Sequence, residues 1–166
     1  MFELKVLSKS AIDSAFEKVE RYRLLNEPES AESICRDVLA IDPENQSALT
    51  DLILSLTDQF DTGIAGRYQE AKKMAASLND TYDREYYSGI VSERRAKSIL
   101  HRGAPGSGGV AYEWLRRAME AYERAEEHRP QANDDAKLRW NTCARIIMDN
   151  PKVEPYTDTA TPIDLE

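Results

Sequence analysis

The chain has 166 residues and a formal net charge of −8, with 41% hydrophobic and 31% charged residues. This length supports one domain with a substantial core, since a domain near this size buries roughly 70% of the surface of its unfolded chain. The acidic balance argues against general binding of nucleic acid or anionic membrane, because both need a net basic face.

The opening segment, residues 1–10, reads MFELKVLSKS and is expected to be an N-terminal extension. Glu3 and Lys5 interrupt its apolar residues, so it does not resemble a signal peptide. No apolar run in the chain reaches the length that spans a bilayer. Cys35 and Cys143 match no metal or redox spacing. We therefore expect a cytoplasmic protein without membrane insertion.

Apolar residues recur every three or four positions along most of the chain, which predicts seven helices. The apolar stripes run over residues 12–22, 31–39, 49–60, 68–78, 82–100, 111–125 and 136–147. Polar residues with capping chemistry precede three of these helices: Ser10, the segment Asn79-Asp80-Thr81, and Asn133. Cys35 and Cys143 fall on apolar stripes and are expected to be buried thiols. Residues 150–166 contain three prolines and no helical period, which indicates an acidic tail.

The second, fourth and sixth predicted helices share one spacing. In each helix an alanine is followed four residues later by a second apolar residue, and three residues after that by a third. In two of the three copies a proline follows five residues after the third. The matching residues are Ala31, Cys35, Val38 and Pro43; Ala71, Ala75 and Leu78; and Ala118, Tyr122, Ala125 and Pro130. This spacing resembles the second-helix signature of the tetratricopeptide repeat.

The resemblance implies an all-α fold, a right-handed α-α superhelix like that of small bacterial-type proteins of this family. It comprises about three helical hairpins and a C-terminal capping helix over residues 11–149. In such solenoids the first helix of each hairpin lines a concave face that binds peptides. Helical phase then gives the candidate binding residues Tyr86, Ile90, Arg94, Lys97, Lys137, Asn141 and Arg145, with Phe16, Glu20, Thr50, Leu54 and Thr57 on the first and third helices. Lys137 and Asn141 have the spacing of a carboxylate clamp in some family members.

The glycine-rich stretch HRGAPGSGGV, residues 101–110, raises an alternative. Gly103 and Gly108 have half of the phosphate-loop spacing, but Gly109 and Val110 stand where that loop needs lysine and Ser or Thr. The stretch is therefore predicted to be a flexible connector between two helices, without a cofactor. A small enzyme or nucleotide-binding protein that uses residues 103–109, or a lone histidine, is the rival interpretation.

Basic residues concentrate late in the chain, where Arg94, Lys97, Lys137 and Arg145 would attract an acidic peptide or the chain's own tail. Ordinary solvated surface charge is the alternative explanation. The function expected from the resemblance is a non-catalytic scaffold that binds a protein or peptide, with no metal and no nucleic acid. A secretion or assembly chaperone is a narrower version, and a homo-oligomer subunit that stacks through its last helix is a further alternative.

Overall fold

The computed structural model describes residues 1–156; the predicted docking of tail residues 163–166 lies outside this range. The described residues form seven α-helices and two short 3-10 turns, and they contain no strand. The helices are α1 (Ile12–Leu24), α2 (Pro28–Ile41), α3 (Gln46–Thr57), α4 (Arg67–Ala76), α5 (Thr81–Arg102), α6 (Ser107–Glu126) and α7 (Asp135–Asp149). The 3-10 turns are Lys9–Ala11 and Phe60–Thr62. The prediction of an all-α chain with seven helices is confirmed.

Each helix packs chiefly against the helices that precede and follow it in the chain. Helices α1 and α2, α3 and α4, and α5 and α6 form three successive pairs, and α7 packs on α6. The first helices of the pairs also touch one another, α1 against α3 and α3 against α5. These three helices therefore share one side of the molecule.

The repeated spacing marks the most deeply buried positions of α2, α4 and α6. Eight of the nine apolar residues that define it lie within these helices and Leu78 follows α4, and all nine are at most 1% exposed. Gly89 on α5 allows an equally close approach to α6, because a Cβ there would lie 2.4 Å from a ring carbon of Tyr122. Small residues at these positions let neighbouring helices approach closely, which is why the spacing recurs.

Within the predicted capping segment of α5, Asp80 is the N-cap, and its side chain accepts a hydrogen bond from the Asp83 amide at 3.1 Å. Asn133 lies one residue before the N-cap of α7, Asp134, and its side chain accepts a hydrogen bond from the Asp135 amide at 2.9 Å. Ser10 does not cap α1, because it lies inside the preceding 3-10 turn and α1 begins without a side-chain cap. A first turn already hydrogen-bonded as a 3-10 turn needs less help from a capping side chain.

The glycine-rich stretch connects α5 to α6, as predicted, but only residues 103–106 lie between the two helices. Gly103 and Gly106 adopt φ values of 64° and 76°, in the left-handed region that glycine enters without steric cost. Gly108 and Gly109 belong to the first turn of α6. These two glycines therefore belong to the packing surface of α6 and not to the connector.

Candidate functional site

A groove of about 510 Å³ lies on the side shared by α1, α3 and α5. Four of the residues predicted for a concave binding face line it together: Glu20, Thr57, Arg94 and Lys97. Its other charged or titratable residues are Arg23, Asp58, Asp61 and His101. The α1–α3–α5 groove is therefore the part of the predicted binding surface that the structure assembles.

Asp58 lies at the centre of this groove, directly after the last residue of α3. Its two carboxylate oxygens accept hydrogen bonds from Arg23 of α1 at 2.8 Å and Arg94 of α5 at 2.9 Å. All three side chains are less than one-third exposed. Charged hydrogen bonds of this kind are stronger than neutral ones, so Asp58 ties α1 and α5 across the end of α3.

Ile90 was predicted to contact a partner, and this prediction is wrong. Its side chain is 1% exposed and belongs to the core between α5, α6 and α7. Tyr86, one turn earlier on α5, is partly buried and stacks on Tyr82 with ring centroids 5.5 Å apart. This turn of α5 therefore belongs to the core, and its apolar residue faces inward.

The candidates on α7, Lys137, Asn141 and Arg145, do not line the groove. Lys137 donates a hydrogen bond to Asp134 at 2.9 Å, on the exposed surface. Among the candidates on the earlier helices, Phe16 and Leu54 pack against core residues, and Thr50 is partly buried outside the groove. The predicted face is thus divided between the groove, the core and a separate surface of α7.

Glu93 is a buried carboxylate that the sequence analysis did not single out. It is 0% exposed and accepts hydrogen bonds from Lys97 of α5, from the Tyr122 hydroxyl of α6 at 2.6 Å and from Arg139 of α7 at 3.2 Å. The only local signal was the spacing of Glu93 and Lys97, which places them on adjacent turns of one helix. The partners on α6 and α7 come from distant sequence.

Burial tends to raise the pKa of Glu93, but its hydrogen bonds from Lys97 and Tyr122 and the positive charges of Lys97 and Arg139 lower it further than burial raises it. The carboxylate is therefore held below its ordinary pKa range and is ionised at neutral pH. The same neighbourhood raises the pKa of Tyr122, whose hydroxyl is buried beside this negative charge. Glu93 thus acts as an acceptor that joins three helices.

Three of the four basic residues predicted to attract acidic peptides are already paired within the chain, and the fourth, Arg145, is exposed on α7. Arg94 pairs with Asp58, Lys97 with Glu93 and Lys137 with Asp134. The groove itself is lined by as many acidic residues as lysines and arginines. A preference for acidic peptides remains a prediction. Because the charges of the groove balance, such a preference would come from where the basic side chains lie within it and not from its net charge.

Residues 150–156 lie against the start of α6. Val153 is 2% exposed and packs with the core. The carbonyl oxygen of Lys152 approaches Gly108 so closely that a Cβ at that position would lie 1.8 Å from it. The described part of the predicted tail therefore belongs to the folded structure, and it packs on α6 instead of entering the α1–α3–α5 groove.

The ring of Tyr156 covers Gly109, where a Cβ would lie 2.8 Å from the ring, and its hydroxyl donates to the Gly106 carbonyl at 3.4 Å. A cavity of about 640 Å³ beside this contact is bordered by the connector, Lys152 and Glu154. Lys152 is the basic residue at the border of this cavity. The faces of both helical glycines are occupied by the chain itself, however, which favours a packing role over phosphate binding.

Both cysteines are buried, as predicted, and burial raises the pKa of each thiol to about 12. They are therefore protonated at neutral pH and poor nucleophiles. His101 contacts Asp61 at 3.0 Å and is largely exposed. Within residues 1–156, no three His, Cys, Asp or Glu side chains converge as metal ligands, and no helix has the length and apolar character needed to cross a bilayer.

No protein-family model, curated protein or solved structure matches this chain.

Replacing Glu93 with glutamine should lower the free energy of unfolding by about 3–5 kcal/mol at neutral pH, because Lys97 and Arg139 lose their buried counter-charge. A carboxylate with a lowered folded-state pKa contributes stability above its unfolded pKa of about 4.3 and loses it as pH falls through the folded-state value. The loss of unfolding free energy caused by Glu93→Gln should therefore become smaller at acidic pH. Urea unfolding between neutral and acidic pH measures both effects.

The matched control is Glu113→Gln, which neutralises an exposed acidic residue on α6. It should change stability by less than about 0.5 kcal/mol. A deficit for Glu93→Gln that is equally small, or that does not change with pH, would contradict the role given to Glu93.

Replacing Gly108 with alanine should destabilise the full chain by about 1–3 kcal/mol, because the new methyl group would overlap the Lys152 carbonyl. In a chain ending after Asn150, the same change should be neutral or stabilising by up to about 1 kcal/mol, since alanine favours the helix. Denaturant unfolding of the full and the shortened chain, each with and without Gly108→Ala, gives the coupling energy between residue 108 and the segment after Asn150. The same effect of Gly108→Ala in both chains would show that residues 151–156 do not pack on α6.

Proposed function

We propose that this protein is a non-catalytic scaffold resembling the tetratricopeptide repeat family, and that it binds a segment of another protein in the α1–α3–α5 groove. The observation that carries the proposal is the groove itself, which is formed by the first helices of three successive pairs. The complete burial of the repeated spacing on α2, α4 and α6 supports the solenoid interpretation. A right-handed superhelix is the arrangement that this proposal expects.

The α5 side of the groove has the chemistry to bind a carboxylate. Arg94, Lys97 and His101 lie three and four residues apart, so they form one stripe on this helix. Glu20 on α1 also lines the groove, and Asp58 and Asp61, which follow α3, contact Arg94 at 2.9 Å and His101 at 3.0 Å. Leu24, which is 81% exposed at the end of α1, offers an apolar contact. We therefore propose an extended segment with an acidic residue towards α5 and an apolar residue towards Leu24.

The narrower role of a secretion or assembly chaperone is consistent with this groove but has no specific observation in its favour. Self-association through α7 is the second candidate, because Leu138 and Met148 are 62% and 78% exposed on that helix. A cytoplasmic location remains part of the proposal and depends on the sequence pattern alone.

The double variant Leu24→Glu/His101→Glu should weaken binding of an acidic peptide pool about tenfold or more, because it adds two negative charges beside the proposed carboxylate site. Neither side chain belongs to a buried ion pair, so the fold should persist. Fluorescence anisotropy with labelled acidic and basic pools, with circular dichroism to check folding, makes the comparison. Added salt should weaken binding to the unmodified protein.

The control is Leu138→Glu/His128→Glu, which makes the same chemical changes at exposed positions away from the groove. It should bind the acidic pool like the unmodified chain. Equal loss of binding in both double variants, or tighter binding of the basic pool by the unmodified chain, would refute the groove as an acidic-segment site.

A further inference from the structure

A pocket of about 290 Å³ lies where the loop of residues 63–66 meets α5. Its walls carry three arginines, Arg67, Arg95 and Arg102, and none of the side chains that line it is a carboxylate. Only Phe60 is shared with the α1–α3–α5 groove. This arginine pocket is therefore a separate site with concentrated positive charge.

The three arginines are only partly satisfied by the rest of the chain. Arg67 donates to Glu32 at 2.6 Å, and Arg102 donates to the Phe60 carbonyl at 2.6 Å. Arg95 lies over the Tyr68 ring, 5.4 Å from its centroid, and pairs with no carboxylate of the described chain. The pocket thus has donors and charge that an anion would satisfy.

Backbone amides add to this charge. Helix α4 begins at Arg67, and no side chain caps its first turn. Gly66 precedes it with φ of 86°, and the first three helical residues, 67–69, form part of the pocket wall. Free amides at a helix start favour anions, and arginine forms paired hydrogen bonds with the oxygens of a phosphate.

We propose that the arginine pocket binds a phosphate group, either as inorganic phosphate or as the phosphate monoester of a phosphorylated peptide. A doubly charged phosphate offsets the positive charges of both Arg95 and Arg102, whereas a carboxylate offsets only one of them. It also presents enough oxygens to meet Arg95, Arg102 and the first amides of α4 together. This proposal does not depend on the proposed function of the α1–α3–α5 groove, and an experiment can refute either proposal without refuting the other.

The test is a titration of the full chain followed by amide NMR spectra at constant ionic strength. The probes are sodium phosphate, a phosphoserine peptide and its unphosphorylated form, with sodium chloride as the reference. Saturable shifts of amides 67–69 with phosphate or the phosphoserine peptide, but not with the other two, are expected. Tighter binding of the peptide would identify a phosphorylated protein as the source, and tighter binding of inorganic phosphate would identify the free ion.

Arg95→Gln should raise the Kd for phosphate about tenfold, since it removes a charged donor and leaves no buried carboxylate unpaired. Ile64→Glu places a competing carboxylate at a wall position that is 49% exposed, and it should abolish binding. Arg117→Gln is the matched control, because Arg117 stacks on Trp114 at 4.8 Å and does not line the pocket.

The control should bind phosphate like the unmodified chain. The proposal is overturned if folded, unmodified protein shows no saturable shifts at amides 67–69. It is also overturned if Arg117→Gln weakens binding as much as Arg95→Gln does.

Discussion

Three shielded carboxylates, each bonded to cations from other helices, connect the successive helix pairs. Glu32 of α2 accepts hydrogen bonds from Arg67 of α4 at 2.6 Å and from Gln59, just after α3, at 2.8 Å. Asp58 joins the first, second and third pairs through two arginines, and Glu93 joins the third pair to α7. A charged hydrogen bond therefore crosses each interface between successive helix pairs and the interface between the third pair and α7. The packing of the pairs and the α1–α3–α5 groove depend on these contacts.

Removing one partner of such a buried ion pair and replacing the whole pair have different effects on stability. An apolar replacement of a whole buried ion pair is often as stable as the pair, whereas loss of one partner leaves an unpaired charge in a medium of low dielectric constant. For Glu32, burial tends to raise the pKa, but hydrogen bonds from Gln59, Arg36 and Arg67 lower it below its ordinary range. Loss of a single charged partner at these carboxylates therefore disturbs the contacts between helix pairs more than replacement of a whole ion pair would.

The helices were predictable because their signals are local. A 3.6-residue apolar period, Pro28 at a helix start and the Asp80 and Asn133 caps each act within one or two turns. The repeated spacing also identified residues that are at most 1% exposed. Part of the groove followed from the resemblance combined with helical phase, which together place Glu20, Thr57, Arg94 and Lys97 on one side.

The remaining features depend on contacts between distant residues. Ile90 was assigned to the surface because helical phase does not show that residues of α6 and α7 share a core with that turn of α5. Glu93 looks like an ordinary surface acid until Tyr122 and Arg139 are brought to it from residues 29 and 46 positions away. Gly108 and Gly109 suggested a connector or a phosphate loop, because nothing in the sequence reveals that residues 152–156 pack on them.

The role of the carboxylates as links between helix pairs is tested most directly by native-state hydrogen exchange of Asp58→Asn. The substitution keeps the shape of the side chain and removes the charge that holds Arg23 and Arg94. If Asp58 links α1 to α5, the opening free energy of slowly exchanging α1 amides should fall by about 1.5–3 kcal/mol, the value of a charged hydrogen bond. Unchanged protection of α1 in a folded Asp58→Asn protein would contradict that role.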